Sequence, residues 1–437
     1  MQTASKKVIN GWAMYDWANS VYNLVITTSF FPIYFTAVTK KEFGSDIIPF
    51  LGRKFVNSSL YDYSLAAAYL MIAILYPVLT SIADTRGNKK KFMQFFCYMG
   101  AIGCSLLFFF NGANLWLGIS CFMLAAMGYV GSLVFYNAYL PEIASLEDQD
   151  RISAKGFSYG YIGSVILQLI GFALVFFMPD QLFATRLTFL LVGIWWFGFA
   201  QITFAVLPKS QINISSKNNI IKSSFQEVKK VYREVKKMPP LKRFLRAFFF
   251  YSMGVQTVML AATLFGSKLL GLPDEKLIAT VVLIQLVAIA GAYIMSRFSA
   301  KYGNVKVLMG VVVFWILICV AAYYTAWYKE QGADPEYWFY IIAVAVGLVM
   351  GGIQSLSRST YSKFMPDTKD TASYFSYYDL TEKIAIVIGM FSFGLIEELT
   401  GSMKNSVLSL IVFFVIGLIW LYSTLNAENK IAKKVPL

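Results

Sequence analysis

Twelve stretches of this chain are long and apolar enough to cross a bilayer, and no other feature limits the fold as tightly. A spanning helix needs roughly 20 mainly apolar residues. The stretches run at about 10–38, 60–83, 92–110, 115–140, 156–178, 186–207, 243–269, 277–297, 305–327, 337–357, 373–396 and 405–425. Turn and charge signals separate them, among them NGANL (111–115), MPDQ (178–181), GLPDEK (271–276) and EQGADPE (330–336). The first span is too long for a cleavable signal peptide, and Asp16 interrupts it. Composition agrees: 57% of the 437 residues are hydrophobic and 14% charged, against about a quarter charged in a soluble domain. Lipid is therefore the solvent for most of the chain. A cytosolic enzyme and a nucleic-acid-binding protein are excluded in spite of the net charge of +14.

That charge has a direction. With the N-terminus inside, 28 lysines and arginines fall in cytoplasmic segments and 9 outside, while Lys383 sits within a span. Basic residues are retained on the cytoplasmic side, so both ends are cytoplasmic. Histidine is absent, which removes the usual side chain that titrates near neutrality. Proton chemistry is left to Asp and Glu. Cys97, Cys104, Cys121 and Cys319 lie in apolar segments without ligand-like spacing and read as small buried residues.

The spans fall into two sets of six, 1–207 and 242–437, joined by a polar linker at 208–241 with eight basic and two acidic residues. Within the linker, Ile221, Phe225, Val228, Tyr232 and Val235 share one helical face opposite lysines. That pattern predicts an amphipathic helix lying on the inner membrane surface, or one that binds a partner. The halves repeat features. Gly87-Asn88, after span 2, returns as Gly303-Asn304, 216 residues on. Phe157-Ser158-Tyr159 returns as Phe375-Ser376-Tyr377 after 218, and Pro141-Glu142 and Pro366-Asp367 close the fourth span of each half. Repeated halves of this kind mark a transporter that rocks about a midplane site.

The loop A-D-T-R-G-N-K-K-K (83–91) resembles the G-x-x-x-D-R-x-G-R-K signature of the major facilitator superfamily, with Thr80 in place of the glycine and Thr85 in place of the first arginine. Residues 15–35, 137–144, 156–164, 351–367 and 374–383 resemble its vacuole-effluxer-like branch, which includes a fungal vacuolar amino-acid effluxer. The resemblance covers nearly the whole chain. It implies an all-α integral membrane fold of twelve helices in two pseudo-symmetric halves. Without the long lumenal insertions of fungal members, the chain is expected to be a multi-pass protein of a bacterial inner membrane.

Polar side chains within spans are costly and so mark sites by default. Trp12, Asp16, Asn19, Ser20, Asn23 and Thr27 fall on one stripe of span 1, a pattern for the wall of a wet cavity; hydrogen bonding between helices is the alternative. Span 11 carries Asp379, Glu382 and Lys383. The i, i+4 spacing of Asp379 and Lys383 suits an intrahelical pair, and Asp379 lies near enough the cytoplasmic end to meet the basic loop after span 2. That loop, with Asp84, Arg86 and Lys89–Lys91, is expected to gate. Span 10 places Gln354, Arg358 and Tyr361 on one stripe, where Arg358 either joins the site or snorkels to lipid phosphate. Spans 4 and 5 add Tyr136, Asn137, Tyr161, Ser164 and Gln168, and span 7 adds Ser252, Gln256 and Thr263.

These residues predict a secondary transporter of a small polar solute, acting as a monomer. No phosphate-cradling G-x-x-x-x-G-K-[ST] loop is present, so ATP does not drive it. No cofactor and no resident metal are expected, and no enzyme activity, since no nucleophile–base–orienter set occurs. Asp16, Lys383 and Arg358 together suit an amino-acid zwitterion. A sugar or other small metabolite would use the amide and aromatic groups instead, and a non-transporting nutrient sensor would keep the fold and signal through the linker. The coupling ion is a proton or sodium. Among Asp16, Asp379 and Glu382, the first is the leading proton carrier, because no basic residue shares its span.

Overall fold

The computed structural model describes residues 2–208 and 220–432. Twelve long helices carry the chain back and forth: α1 (Lys6–Phe43), α2 (Asn57–Arg86), α3 (Lys89–Phe109), α4 (Leu115–Ile143), α5 (Gln149–Phe177) and α6 (Gln181–Val206), then α7 (Pro239–Leu264), α8 (Asp274–Tyr302), α9 (Asn304–Glu330), α10 (Glu336–Phe364), α11 (Thr371–Thr400) and α12 (Met403–Ala432). Each overlaps one predicted span. Eleven of them are apolar enough to cross a bilayer. The remaining one, α11, is 30 residues long and is set apart by Asp379, Glu382, Lys383, Glu397 and Glu398. Large side chains such as Leu70, Phe95, Phe176, Ile194, Phe391 and Ile419 are exposed around the bundle, as lipid-facing residues must be when the surroundings are as apolar as the interior.

The halves pack alike. α1 lies against α5 and α6 as α7 lies against α11 and α12, and α2 meets α4 as α8 meets α10. Between the halves, α2 packs on α11 and α5 on α8. The repeated Gly-Asn pairs are the turns that reverse the chain between α2 and α3 and between α8 and α9. Gly87 and Gly303 have φ of 60° and 87°, a region in which a side chain would clash.

Two features depart from the expected pattern. In the outer loop after α1, a hairpin pairs β1 (Ile47–Phe50) with β2 (Arg53–Val56) through Leu51-Gly52, both at positive φ. Within α1, Tyr22–Phe30 is wound as a π-helix, with the Phe31 N–H reaching the Ile26 carbonyl. Pro32 follows and cannot donate, and Thr28 and Ser29 hydroxyls both bond the Leu24 carbonyl (2.8 and 2.9 Å).

The linker helix (Ile220–Lys237) forms as its periodicity predicts, but its resting place differs. The side chains of Ile221, Phe225 and Val228 lie outside the described residues. Of the rest, Val231 and Val235 are buried and Tyr232 is exposed. The helix packs on α2, α7 and α11. Glu234 accepts from the Tyr374 hydroxyl at 2.6 Å, and Lys230 pairs with Asp370 at 3.3 Å. The protein itself therefore covers this part of the apolar stripe, so the helix does more than rest on lipid.

Candidate functional site

The sequence places α5 and α1 close enough to build a site. Gly156, Gly160 and Gly163 recur along one stripe of α5, and side chains there would collide with Asp16, with Ser20 and with the Trp17 backbone. Small residues at this spacing let two membrane helices approach. At Gly156 an added Cβ would lie 2.5 Å from Asp16 Oδ2 and 2.9 Å from both Arg358 Nη2 and Tyr136 OH.

Those groups form the centre of the site. Arg358 of α10 crosses into the N-terminal half, where Nη1 donates to Asp16 Oδ2 and to Asn137 Oδ1, each at 3.3 Å. Its Nε donates to Ser153 Oγ at 3.0 Å and its Nη2 to the Ser153 carbonyl at 2.9 Å. Tyr136 donates to Asp16 Oδ2 at 2.7 Å. Three aromatic rings enclose the guanidinium, at 4.3 Å for Phe157, 4.9 Å for Trp12 and 5.4 Å for Tyr136. Trp12 stacks on Tyr136 and donates Nε1–H to its carbonyl at 3.1 Å. Asp16 and Arg358 are 4% and 2% exposed. Such a pair is held by its surroundings: removing either partner would strand a buried charge at a cost of about 3–5 kcal/mol.

Of the two placements open to Arg358, the structure has the inward one: its guanidinium turns to Asp16 and not to lipid phosphate. Lys383 departs from expectation. It bonds Glu382 Oε2 at 2.7 Å rather than Asp379, and Gln256 Nε2 holds the other Glu382 oxygen at 3.0 Å. The short Asp379 side chain turns toward α4, where Asn137 donates to Oδ1 over a long 3.4 Å. Asp379 thus does not meet the loop after α2. That loop closes on α11 through Asp84, which accepts from the Ala372 and Ser373 N–H groups (3.2 and 2.8 Å) and from Ser373 Oγ (2.8 Å). Anionic oxygens belong at a helix N-terminus, where free N–H groups point outward. Lys89 supports the closure by bonding Thr371 Oγ1 at 2.8 Å and pairing with Glu142. Arg86, expected to gate, is exposed; it lies past the turn of helix that carries Asp84 inward.

The other predicted residues scatter. Gln354 donates to Met259 Sδ at 3.7 Å and Tyr361 to the Tyr374 carbonyl, so their hydrogen bonds go to groups other than those around Arg358. Gln168 joins the halves further out, accepting from Gln285 Nε2 at 2.9 Å and donating to Ser29. Tyr161 is buried beside Phe157, Asn23 is half-buried, and Ser252 is buried. The Thr263 side chain lies outside the described residues. Asn19 is fully buried, and neither amide atom has a partner among the described residues.

Sequence reasoning missed Ser153 and Phe157, and also Asp150. Asp150, at the start of α5, accepts from Ser299 Oγ (2.8 Å), Asn304 Nδ2 (2.7 Å) and Lys363 Nζ (2.6 Å). The repeated Gly-Asn turn was the available signal: whatever the first turn touches across the interface, the second should touch in its counterpart.

Known proteins share this architecture. The model of the family described as vacuole effluxer Atg22 like matches residues 4–148 and 143–434. An uncharacterized MFS-type transporter, YxiO of Bacillus subtilis, is 30% identical over 94% of this chain and 93% of its own length. Autophagy-related protein 22 of Eremothecium gossypii is 23% identical over 98% and 92%. Among solved structures, the human organic anion transporter MFSD10 superposes with a TM-score of 0.72 at 11% identity, covering 95% of this chain and 99% of that one. A single-residue variant of the fucose:proton symporter FucP of E. coli gives 0.67 at 12% over 96% and 97%. The chain belongs to the vacuole effluxer Atg22-like family and is a multi-pass membrane transporter of the major facilitator type.

Proposed function

We propose that this transporter carries a small zwitterion, an amino acid in the simplest case, by alternating access across a bacterial plasma membrane. One observation carries the reading: Asp16 and Arg358 face each other across the two halves at 3.3 Å, nearly free of solvent. An ammonium can take Asp16 and a carboxylate can take Arg358, so a zwitterion replaces the pair without leaving either charge stranded. The bonds that hold the cytoplasmic ends together are then weakened at their deepest point, and the halves are free to rock. A cation or an anion alone would neutralise one partner and strand the other.

Asp16 is also the carboxyl we propose for proton coupling, since opening the cytoplasmic side removes Arg358 from it. Asp379 is the second candidate, because its Oδ2 has no partner among the described residues. The test is counterflow in proteoliposomes. Labelled amino acids should exchange, while their decarboxylated amines and N-acetyl derivatives should not. Exchange of a neutral sugar without competition by amino acids would overturn the reading, and binding without any exchange would favour the sensor. With coupling at Asp16, Asp16→Asn should lose accumulation driven by a pH gradient; accumulation that persists would remove Asp16 and leave Asp379.

A further inference from the structure

On the cytoplasmic side, away from the Asp16–Arg358 site, the end of the linker helix, the start of α7 and the second half of α12 line a pocket of about 360 Å3. Lys236, Lys242, Arg243 and Arg246 line it with Trp420 and Ser423, and no lining residue is acidic. Two of the cations are already oriented. Arg243 Nη1 donates to the Ser423 carbonyl at 2.8 Å, and the Arg246 guanidinium lies over the Trp420 ring at 4.6 Å. Each uses one part of its fork and leaves other N–H groups for a ligand.

A basic inner face is ordinary in a membrane protein, but these four side chains line one concavity, and they differ from the cations of that face that are held in ion pairs. Lys89 pairs with Glu142, Arg151 with Asp148, Lys230 with Asp370 and Lys363 with Asp150. Among the described residues, no Asp or Glu is paired with Lys236, Lys242, Arg243 or Arg246. Four like charges drawn into one concavity repel one another, and an anion there relieves all four at once. Guanidinium forks match the paired oxygens of phosphate. Trp420 stands where an indole marks the boundary between acyl chains and headgroups.

We infer that this pocket binds a phosphate-bearing anion with two or more negative charges, supplied by an inner-leaflet phospholipid headgroup or by a free phosphate compound. Basic pockets between membrane helices on the cytoplasmic side hold such headgroups.

The test uses the full-length protein in phosphatidylcholine nanodiscs, titrated separately with cardiolipin and with inorganic pyrophosphate, with binding read from the melting temperature. Cardiolipin should raise it, and Arg243→Gln/Arg246→Gln should weaken apparent affinity about thirtyfold. The charge-matched Arg297→Gln/Lys301→Gln, two exposed positions at the cytoplasmic end of α8, should leave it unchanged. If the first pair melts early without ligand, Lys236→Gln/Lys242→Gln reads the same pocket without touching α12. A response to pyrophosphate with the same dependence on the pocket variants identifies the free compound as the source. Equal losses in the pocket and control variants, or no response of the wild type to either probe, would overturn the inference.

Discussion

The two Gly-Asn turns occupy equivalent places in the two halves, yet they fasten the cytoplasmic side by different chemistry. At the α2–α3 turn, the carboxylate belongs to the turn: Asp84 caps the N-terminus of α11, and its neighbouring cation Lys89 comes from the same half. At the α8–α9 turn, Ser299 and Asn304 donate to a carboxylate of the opposite half, Asp150 of α5, and the cation, Lys363, comes from the turn's own half and also donates to Asn304 Oδ1. Both carboxylates lie in the N-terminal half. The ion pairs that cross between α10 and the N-terminal half, Asp16–Arg358 and Asp150–Lys363, draw their cations from that one helix. A shared backbone repeat thus carries an asymmetric lock, with helix capping on one side and charge pairing on the other. α10 is the element whose movement must break both pairs.

Substitutions can break or sharpen that contrast. The largest effect should come from Arg358→Gln, which strands Asp16 and costs the closed state about 3–5 kcal/mol; counterflow should fall by about two orders of magnitude. Gly156→Ala should come next. Alanine usually stabilises a helix interior relative to glycine by about 0.5–1 kcal/mol, but here it pushes Asp16, Arg358 and Tyr136 apart, so the melting temperature should drop and exchange should weaken. Asp150→Ala should outweigh Asp84→Ala, because it leaves Lys363 without its counter-charge, whereas Asp84→Ala removes bonds to a helix end worth about 1–2 kcal/mol. Labelling of a cysteine introduced on the cytoplasmic path should be faster in the Asp150 variant; faster labelling in the Asp84 variant would reverse the assignment of the stronger lock. The smallest effect belongs to exposed Arg86. Arg86→Gln should change stability by less than about 0.5 kcal/mol and transport by less than about twofold, whereas a large loss would restore it to the gate.

Much of the fold was legible because hydropathy reports on the solvent directly: the twelve spans and the reversal at Gly87 and Gly303 needed no knowledge of distant contacts. The Asp16 stripe was legible for the same reason, since a membrane helix does not turn polar groups toward lipid. Partners were not legible. Asp16 and Arg358 are 342 residues apart in the chain, and nothing on either helix reports the other. The i, i+4 rule likewise misassigned Lys383, because the rule describes an isolated helix while Gln256 of α7 fixes Glu382 within its reach. For Val231 and Val235, an apolar helical stripe fits lipid or a protein surface equally well, and periodicity does not distinguish the two.

The pairing of Asp16 with Arg358 and its opening by substrate are tested together by a double-mutant cycle of Asp16→Asn and Arg358→Gln, read by the melting temperature with and without an exchanging amino acid. Each single variant should be less stable than the wild type and should lose the shift caused by the amino acid. The double variant, with no charge left stranded, should recover most of the stability but none of that shift. Additive losses of stability, or an undiminished shift in either single variant, would contradict the account.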